Sequence, residues 1–356
     1  MKVLTVVGAR PQFVKAYPVS RQLRRDHEEV LVHTGQHYDA ELSDVFFEEL
    51  GIPEPDHHLG VGSGPHGEQT AEMMAGIEDR LAEEGPDLVL CYGDTNSTLA
   101  AGIVASKTDV PLAHVEAGLR SDDREMPEEV NRVLTDHAAD CLLAPSDAAA
   151  ENLRAEGLTD GVFVTGDVMS DAVSLVRDRA ATRARTLADL GVEPGEYVLA
   201  TVHRAHNTDD PGRLADIVAA LAAVDDEVVF PAHPRTTDAL REYGLYEEAA
   251  DALTLLDPLG YVDFVGLVAD ARAVATDSGG VQKEAFFLDT PCVTLRETTE
   301  WTETVDAGWN VLVGSDPDRI AAALDGSFDL PDDKPRPYGD GDAASAVTAA
   351  LESFTS

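Results

Sequence analysis

Short, continuously apolar segments alternate with helical patterns along the whole chain. A strand that is apolar on both faces is covered on both faces, as in a parallel sheet between two layers of helices. The repeated strand–helix–strand order therefore predicts an α/β fold with parallel sheets. The predicted strands are Val3–Val7, Glu29–His33, Asp87–Cys91, Leu112–Val115, Cys141–Ala144, Gly161–Val164, Tyr197–Thr201, Val228–Pro231, Leu253–Leu256, Ala273–Thr276 and Cys292–Leu295.

The helical segments between these strands carry an apolar stripe. At Asp39–Leu50, for example, Leu42, Phe46 and Leu50 share one face, and Gly51 follows the last turn. Such a stripe packs against a sheet, so helices of this kind are expected to cover both faces of each sheet.

The number of predicted strands divides the chain, because eleven strands are more than one sheet comfortably holds. The acidic, arginine-dotted helix around Ser170–Leu190 is the predicted connector, which gives domains of residues 1–169 and 170–340. A short helix, Ala343–Phe354, occupies the last segment, 341–356. Open parallel sheets bind ligands at the carboxyl ends of their strands, so the chemistry is expected just after strands.

The charge composition narrows the choice of partners. The 356 residues include 26 Lys+Arg and 67 Asp+Glu, a formal net charge of −41. Such a surface repels nucleic acid and anionic membranes, so neither is expected as a partner. An acid-rich chain with lysine at only five positions is typical of proteins from a salt-saturated cytoplasm, where the Debye length is about 3 Å or less.

The start of the chain and the cysteines indicate a cytoplasmic protein. MKVLTVVGARP fits a strand better than a signal peptide, and no apolar run approaches the roughly 20 residues of a membrane span. Cys91, Cys141 and Cys292 lie far apart in apolar runs, which predicts small buried core residues.

The first motif, GARPQFVK, follows the first strand. Pro11 suits the first turn of a helix, whose free N–H groups and dipole favour an anion. Arg10 and Lys15 add positive charge at that point, which predicts an anion site. The plain alternative is that Arg10 pairs with a nearby carboxylate.

Three carboxylates follow strands or open helices in the same half. Asp94 ends a strand in YGDTNST, where its plain alternative role is to cap the helix beginning near Thr95. Glu116 follows a strand in HVEAGLRS, and Glu128 lies in the first helical turn of PEEVNR, which the helix dipole also favours. Together they predict an acid–base cluster.

Two histidines occupy equivalent places in the second half. His203 in HRAHN and His233 in AHPRT each follow a predicted strand. A single histidine in such a place is more often structural, but two in equivalent positions favour a function at the ligand-binding edge of the sheet.

TDSGGVQKEA is the most specific local feature. Ser278, Gly279 and Gly280 join a buried strand to a helix, and the glycines allow a diphosphate to approach the free backbone N–H groups. Glu284, one turn further on, is placed to accept both hydroxyls of a ribose. The plain alternative is an ordinary tight turn between strand and helix.

The motifs predict neither a nicotinamide cofactor nor a metal. Gly62–Gly67 matches GxGxxG, but Pro65 interrupts it and no buried strand is predicted before it. The pair His57–His58 has no suitably spaced cysteine or carboxylate to complete a metal site.

Taken together, these stretches resemble the non-hydrolysing UDP-N-acetylglucosamine 2-epimerase family. The resemblance implies two doubly wound, Rossmann-like parallel-sheet domains facing a cleft (GT-B-like), a C-terminal helix packed on the first domain, and a homodimer. The matching segments, in order over residues 8–301, are GARPQFVK, TGQHYD, YGDTNST, HVEAGLRS, MPEEVNR, GDVMSD, TVHRA, HP, TDSGGVQKEA and TTEW.

The resemblance also implies the reaction, which needs no cofactor. UDP-GlcNAc and UDP-ManNAc interconvert when UDP leaves C1 and the C2 proton is removed, giving 2-acetamidoglucal; UDP adds back after a proton returns to the opposite face. Which carboxylate takes the proton stays open. By the same resemblance the catalytic residues are Asp94, Glu116, Glu128 and His203, and the substrate and UDP contacts are Arg10, Lys15, His233, Phe264 (uracil), Ser278, Gly279, Gly280 and Glu284 (ribose).

Two departures from the family pattern leave the identity of the sugar substrate open. HRAHN has His206 where the family usually has an acid, and TTEWTE has Trp301 where many members carry an arginine that contacts the substrate. The segments GARPQF, GQHYD and TEW look more like the subgroup that acts on UDP-2,3-diacetamido-2,3-dideoxy-glucuronic acid. That sugar, a hydrolysing epimerase, a GT-B glycosyltransferase and a non-catalytic UDP-sugar sensor are the alternatives.

The acidic surface leads to a prediction about salt. We expect the melting temperature to rise with KCl concentration, because screening cancels the self-repulsion of a chain with net charge −41. Circular dichroism melts from low to molar KCl measure this. A melting temperature that does not change with KCl would contradict the halophilic interpretation.

Overall fold

The computed structural model describes residues 1–36, 53–121, 123–180, 190–326, 328 and 330–355, with the backbone alone at Arg10. The predicted helix Asp39–Leu50 lies outside the described residues. The chain divides into two compact units: Met1–Ala172 together with Arg336–Ser356, and Val173–Pro335. Among the described helices, none is long and apolar enough to cross a lipid bilayer.

The first unit is built on a parallel sheet. Its strands are β1 (Lys2–Val7), β2 (Glu28–His33), β3 (His57–His58), β4 (Leu88–Tyr92), β5 (Leu112–Val115), β6 (Cys141–Ala144) and β7 (Val162–Val164). They lie in the order β3-β2-β1-β4-β5-β6-β7, and every neighbouring pair is parallel. The helices are α1 (Arg10–Leu23), α2 (His66–Glu84), α3 (Asn96–Ala105), α4 (Pro127–Ala138), α5 (Asp147–Ala155) and α6 (Val168–Ala180), whose later turns belong to the second unit.

The second unit repeats this plan with a six-stranded parallel sheet. Its strands are β8 (Tyr197–Thr201), β9 (Glu227–Pro231), β10 (Thr254–Leu256), β11 (Ala273–Thr276), β12 (Cys292–Thr294) and β13 (Asn310–Leu312), in the order β10-β9-β8-β11-β12-β13. Its helices are α7 (Ala205–Thr208), α8 (Pro211–Ala222), α9 (Pro234–Glu242), α10 (Tyr246–Ala252), α11 (Tyr261–Asp270), α12 (Gly279–Phe287), α13 (Thr302–Asp306) and α14 (Pro317–Asp325).

The predicted fold class is confirmed, since both units are doubly wound parallel sheets with the Rossmann strand order. Two short strands, β3 and β13, were missing from the sequence prediction. β3 is a pair of histidines without an apolar run, and β13 is a three-residue strand of which only Asn310 is buried.

The last helix, α15 (Ala343–Thr355), belongs to the first unit and contacts α1 and β6. Asp171 caps it: the N–H groups of Ala343 and Ala344 donate to its carboxylate at 3.0 and 3.2 Å. A helix start needs such acceptors, because its first N–H groups have no partner within the helix.

The strand order determines where a ligand can bind in each unit. In the first sheet the chain turns to opposite sides after β1 and after β4, which are neighbours; in the second sheet β8 and β11 have this relation. The loops that follow these strand pairs open a crevice at the carboxyl edge of the sheet. The segments beginning at Gly8, Gly93, Val202 and Asp277 therefore face such crevices.

The loops after β1 and β4 approach so closely that position 8 has no room for a side chain. A Cβ on Gly8 would lie 2.0 Å from Ser97 Oγ and 2.1 Å from Thr34 Oγ1. Gln12 joins the same loops: its Oε1 accepts from Gly8 N–H at 2.8 Å, and its Nε2 donates to the Tyr92 carbonyl at 2.7 Å.

We expect Gly8→Ala to lower the free energy of unfolding by about 1–3 kcal/mol, because the new methyl group overpacks this crossing. Gly67→Ala is the matched control: a Cβ at position 67 meets nothing within 4 Å, so it should stay within about 1 kcal/mol of the wild type. Urea unfolding at fixed KCl measures both. Equal stability of the two variants would contradict the close approach of these loops.

Candidate functional site

In the first unit, Asp94 and Glu116 come together with two cations. Arg132 of α4 donates from Nη2 to the Asp94 carboxylate, and Lys15 of α1 donates from Nζ to Glu116 Oε2. Gly93, the residue before Asp94, lies against the second pair: a Cβ there would be 3.4 Å from both Glu116 Oε2 and Lys15 Nζ. The structure thus assembles two carboxylates, each with its own cation, at the end of neighbouring strands.

The helix-cap alternative for Asp94 is wrong. Thr95 is the N-cap of α3, and its side chain accepts from the N–H of Thr98. The Asp94 side chain is 30% exposed and reaches Arg132 instead. It is therefore available to a ligand while it stays next to a positive charge.

Glu116 has a strained backbone. Its φ is +74°, the left-handed region that costs a residue with a side chain about 1–3 kcal/mol. The conformation is held by a hydrogen bond from its N–H to the Leu143 carbonyl at 3.1 Å. The Glu116 side chain is buried, with 7% of its surface exposed. Strain of this kind is concentrated at functional sites.

The other predicted residues of this unit are placed differently. Glu128 is exposed in the first turn of α4, and the described residues give it no hydrogen bond or ion pair. Its neighbour Glu129 is buried and accepts from Ser121 N–H at 3.0 Å, with Arg132 Nη1 at 3.2 Å. The side chain of Arg10, the first residue of α1, lies outside the described residues.

At the start of α1, where the sequence predicts an anion site, several of the groups that could bind an anion already have partners within the protein. The N–H groups of Gly8 and Ala9 are both used by Gln12 Oε1, at 2.8 and 3.1 Å. Lys15 is engaged by Glu116. The position of Pro11 in the first turn of the helix is as predicted.

A buried network missed by the sequence analysis supports the two carboxylates. His114 of β5 has Nδ1 2.7 Å from Asp136 Oδ1 and Nε2 2.7 Å from the Gly93 carbonyl. The ring therefore bridges the Asp136 carboxylate and the Gly93 carbonyl. Asp136 also accepts from Arg120 Nη1 at 2.7 Å and from Gly118 N–H at 3.1 Å.

The network is neutralised internally. Burial would raise the pKa of the Asp136 carboxyl, but the hydrogen bonds and charges of His114 and Arg120 outweigh burial and hold that pKa below its usual range. Gly93 precedes Asp94 and Gly118 follows Glu116 by two residues, so the network fixes the backbone on which both carboxylates stand.

In the second unit, Asp277 organises the loops after β8 and β11. It is fully buried and accepts from the N–H groups of His203 and Arg204 at 3.0 Å each, and from Asn207 Nδ2 at 3.0 Å. Asp277 belongs to the TDSGG motif, but no role was predicted for it. Its position at the end of a buried strand was the available signal.

The two predicted histidines of this unit are neighbours, with ring centroids 5.7 Å apart. His233 caps α9: its Nδ1 accepts from Arg235 N–H at 3.2 Å, which leaves its Nε2 to donate. Burial lowers the pKa of His203 against the attraction of Asp277, and the nearby positive groups lower it further. The lowered pKa favours the neutral imidazole at pH 7, the form that can accept a proton.

The glycine loop begins α12 as predicted. Gly279 is the first residue of the helix, and a Cβ on it would lie 2.3 Å from Glu300 Oε1. Gly280 is exposed, and a Cβ there would meet nothing nearer than Ser278 Oγ at 3.9 Å. Space for an anion thus lies in front of the first N–H groups of this helix.

The predicted nucleoside contacts lie on two helices that touch each other, α11 and α12. Glu284 is buried, and its Oε1 accepts from the Tyr261 hydroxyl at 2.8 Å. Phe264 is half-buried one turn after Tyr261. Trp301 lies close by, with Lys283 Nζ 4.0 Å from its ring centre and its Nε1 3.2 Å from the Cβ position of Gly279.

The described part of the chain has no group of three His, Cys, Asp or Glu side chains arranged to hold a metal ion. His57 Nε2 lies 2.7 Å from Glu84 Oε1, and the His58 ring packs 5.0 Å from that of His33. The contacts of His57 and His58 are thus with neighbouring side chains of the fold, which indicates a structural role for the pair.

Comparison with known proteins decides the family. A family model described as UDP-N-acetylglucosamine 2-epimerase matches residues 21–352. The chain belongs to the UDP-N-acetylglucosamine 2-epimerase family. The resemblance seen in the sequence is confirmed at this level, and the protein is an epimerase.

Three relatives show how far the similarity extends. A Methanococcus maripaludis UDP-N-acetylglucosamine 2-epimerase homolog is 51% identical over 326 residues, 90% of each chain. A Pseudomonas aeruginosa UDP-2,3-diacetamido-2,3-dideoxy-D-glucuronate 2-epimerase is 46% identical over 360 residues, 99% of each. The crystal structure of Methanocaldococcus jannaschii UDP-GlcNAc 2-epimerase in complex with UDP-GlcNAc and UDP is 39% identical, with TM-score 0.86 over 99% of this chain and 100% of that one.

In this member of the epimerase family we expect Asp136→Asn to lower the free energy of unfolding by about 3–5 kcal/mol, because it leaves His114 and Arg120 without their anion. Asp340→Asn is the matched control. It removes an exposed pair with Arg336 at 2.8 Å and should cost about 0–1 kcal/mol. Urea unfolding at pH 7 and fixed KCl compares them. A small effect of Asp136→Asn would contradict the role of Asp136 as the carboxylate that holds this network together.

Proposed function

We propose that the protein catalyses the reversible 2-epimerisation of a UDP-activated 2-acetamido sugar, with UDP-GlcNAc to UDP-ManNAc as the first reaction to test. The observation that carries the proposal is the meeting of Asp94 and Glu116 with Arg132 and Lys15. The family of the chain and the named activities of its relatives support it.

The chemistry requires both a base and an acid at C2. The C2 hydrogen is not acidic, so its loss has to be linked to the departure of UDP from C1, which gives 2-acetamidoglucal. A carboxylate takes that proton, and a group on the other face returns one before UDP adds back. Asp94 and Glu116 are the candidates for these two groups, because they lie at the ends of neighbouring strands and each has a cation as its neighbour.

The second unit supplies groups suited to the departing UDP. The start of α12 at Ser278–Gly280 offers backbone N–H groups and the positive end of a helix dipole to the diphosphate. His203 and His233 are further donors. Glu284 would bind the ribose hydroxyls and Phe264 the uracil ring. The released UDP is then kept for re-addition, which makes the enzyme non-hydrolysing.

UDP-2,3-diacetamido-2,3-dideoxy-glucuronic acid is the second candidate substrate. The Pseudomonas aeruginosa relative named for that sugar is 46% identical over 99% of this chain. His206 and Trp301, where the sequence departs from the common family pattern, lie next to the residues assigned to UDP. The reaction would be the same.

We expect C2 of the sugar to take up deuterium when the protein is incubated with UDP-GlcNAc in D₂O at molar KCl, with UDP-ManNAc appearing in the same NMR spectra. Glu116→Gln and Asp94→Asn should slow the exchange by about 10²–10⁴-fold, since each removes a proton-transfer group. Asp147→Asn, an exposed acid in the first turn of α5, should leave it unchanged.

The outcome is decisive only for folded protein that binds UDP, which calorimetry checks. No exchange with UDP-GlcNAc and none with the diacetamido-uronic sugar would overturn the proposed function. Transfer of the sugar to an added acceptor without deuterium uptake at C2 would indicate a glycosyltransferase, and free ManNAc as product would indicate a hydrolysing epimerase.

A further inference from the structure

The second unit contains a basic cavity of about 480 Å³. Arg204, Arg213 and Arg296 line it together with His206, and Glu297 is the acid on its wall. The chain has 67 acidic and 26 basic residues. Three guanidinium groups around one cavity are therefore a local cluster of positive charge in an otherwise acidic protein. The cavity is therefore suited to an anion.

The three guanidinium groups are only partly neutralised. Arg213 Nη2 lies 3.3 Å from Glu297 Oε1, and the Glu297 side chain is 58% exposed. Arg204 and Arg296 share Glu300, with Nη2 and Nη1 at 3.7 and 3.0 Å from its two oxygens. Two carboxylates for three guanidiniums leave one positive charge, and pairs as long and exposed as that of Arg213 are weak.

The cavity is joined to the groups assigned to UDP. Arg204 follows His203, and Asn207 on the cavity wall donates to Asp277, the same carboxylate that holds the His203 N–H. Glu300, the partner of Arg204 and Arg296, lies beside Gly279, where a Cβ would be 2.3 Å from its Oε1. An anion in the cavity would thus lie beside the diphosphate loop, within the same unit.

His206 adds to the basic character. It is exposed at the cavity, at the position where HRxEN sequences carry an acid. A carboxylate there would repel an anion, whereas an imidazole is neutral or positive.

We propose that this cavity is a carboxylate subsite, which binds the acidic group of a UDP-activated uronic sugar through Arg213 and Arg296. Guanidinium groups bind carboxylates with two parallel hydrogen bonds, which suits them to a sugar whose C6 is a carboxylate. The inference rests on the proposed function and names its substrate class: an acidic 2-acetamido sugar rather than a neutral one.

The test compares two probes that differ only at C6: UDP-GlcNAc, and the corresponding UDP-2-acetamido-2-deoxy-glucuronic acid. The rate of C2 deuterium uptake gives kcat/KM for each at one KCl concentration. We expect the wild type to favour the acid. Arg213→Gln and His206→Glu should each lower the acid-to-neutral ratio by about 10–100-fold, as loss of a charge-assisted hydrogen bond or a new repulsion would do.

The controls separate charge from folding. Arg213→Lys keeps the charge and should restore part of the ratio lost in Arg213→Gln. Arg241→Gln removes an exposed arginine of the same unit that packs over Tyr246, 4.9 Å from its ring centre, and should leave the ratio unchanged. Thermal melts confirm that each variant is folded.

Each outcome has one meaning. No exchange with either probe, and none with the diacetamido-uronic sugar, would overturn the proposed function. Exchange with an acid-to-neutral ratio that is the same in the wild type, Arg213→Gln and His206→Glu would overturn the subsite and leave the function standing. If inorganic phosphate alters UDP-GlcNAc exchange only while Arg213 is present, and the ratio does not move, the cavity binds a free anion and the subsite is overturned.

Discussion

The adjacency of two strands with oppositely directed crossovers is the constraint on which the rest of each unit depends. In the first sheet β1 and β4 are neighbours, and in the second β8 and β11 are. Because the chain leaves each pair toward opposite faces, the loops after them cannot cover the strand ends, and a crevice remains. The carboxylates of the first unit and the histidine and glycine loop of the second all stand on these loops or on the next strand end.

A buried polar side chain joins the loops at each crevice. Gln12 connects the loops after β1 and β4, Asp136 connects those after β4 and β5 through His114, and Asp277 connects those after β8 and β11. Each satisfies backbone groups that would otherwise be buried without partners, which is costly. The same hydrogen bonds fix the position of the neighbouring functional groups. They therefore both stabilise the folded loops and preorganise the site.

The distribution of charge follows from the same constraint. Most of the charged residues are acidic, yet two cations of the first unit, Lys15 and Arg132, are paired with the carboxylates of the site, and three arginines of the second unit surround one cavity. Carboxylates in a partly buried site need cations close by, since the screening that salt provides at the surface does not reach them. The scarce basic residues are therefore informative about function.

The sequence by itself determined the α/β class, the strands with long apolar runs, and the motifs that follow them, because apolar periodicity and glycine turns act over a few residues. It also determined the family, through motifs spread over most of the chain. It missed the two-residue strand β3, which has no apolar run. Only the tertiary structure decided that Lys15 faces Glu116, 101 residues away, and that Asp94 faces Arg132, 38 residues away. It alone decided the role of Asp277 and the meeting of Arg213 with Arg296, because such partners are brought together by the crossovers of a parallel sheet, which no local pattern records.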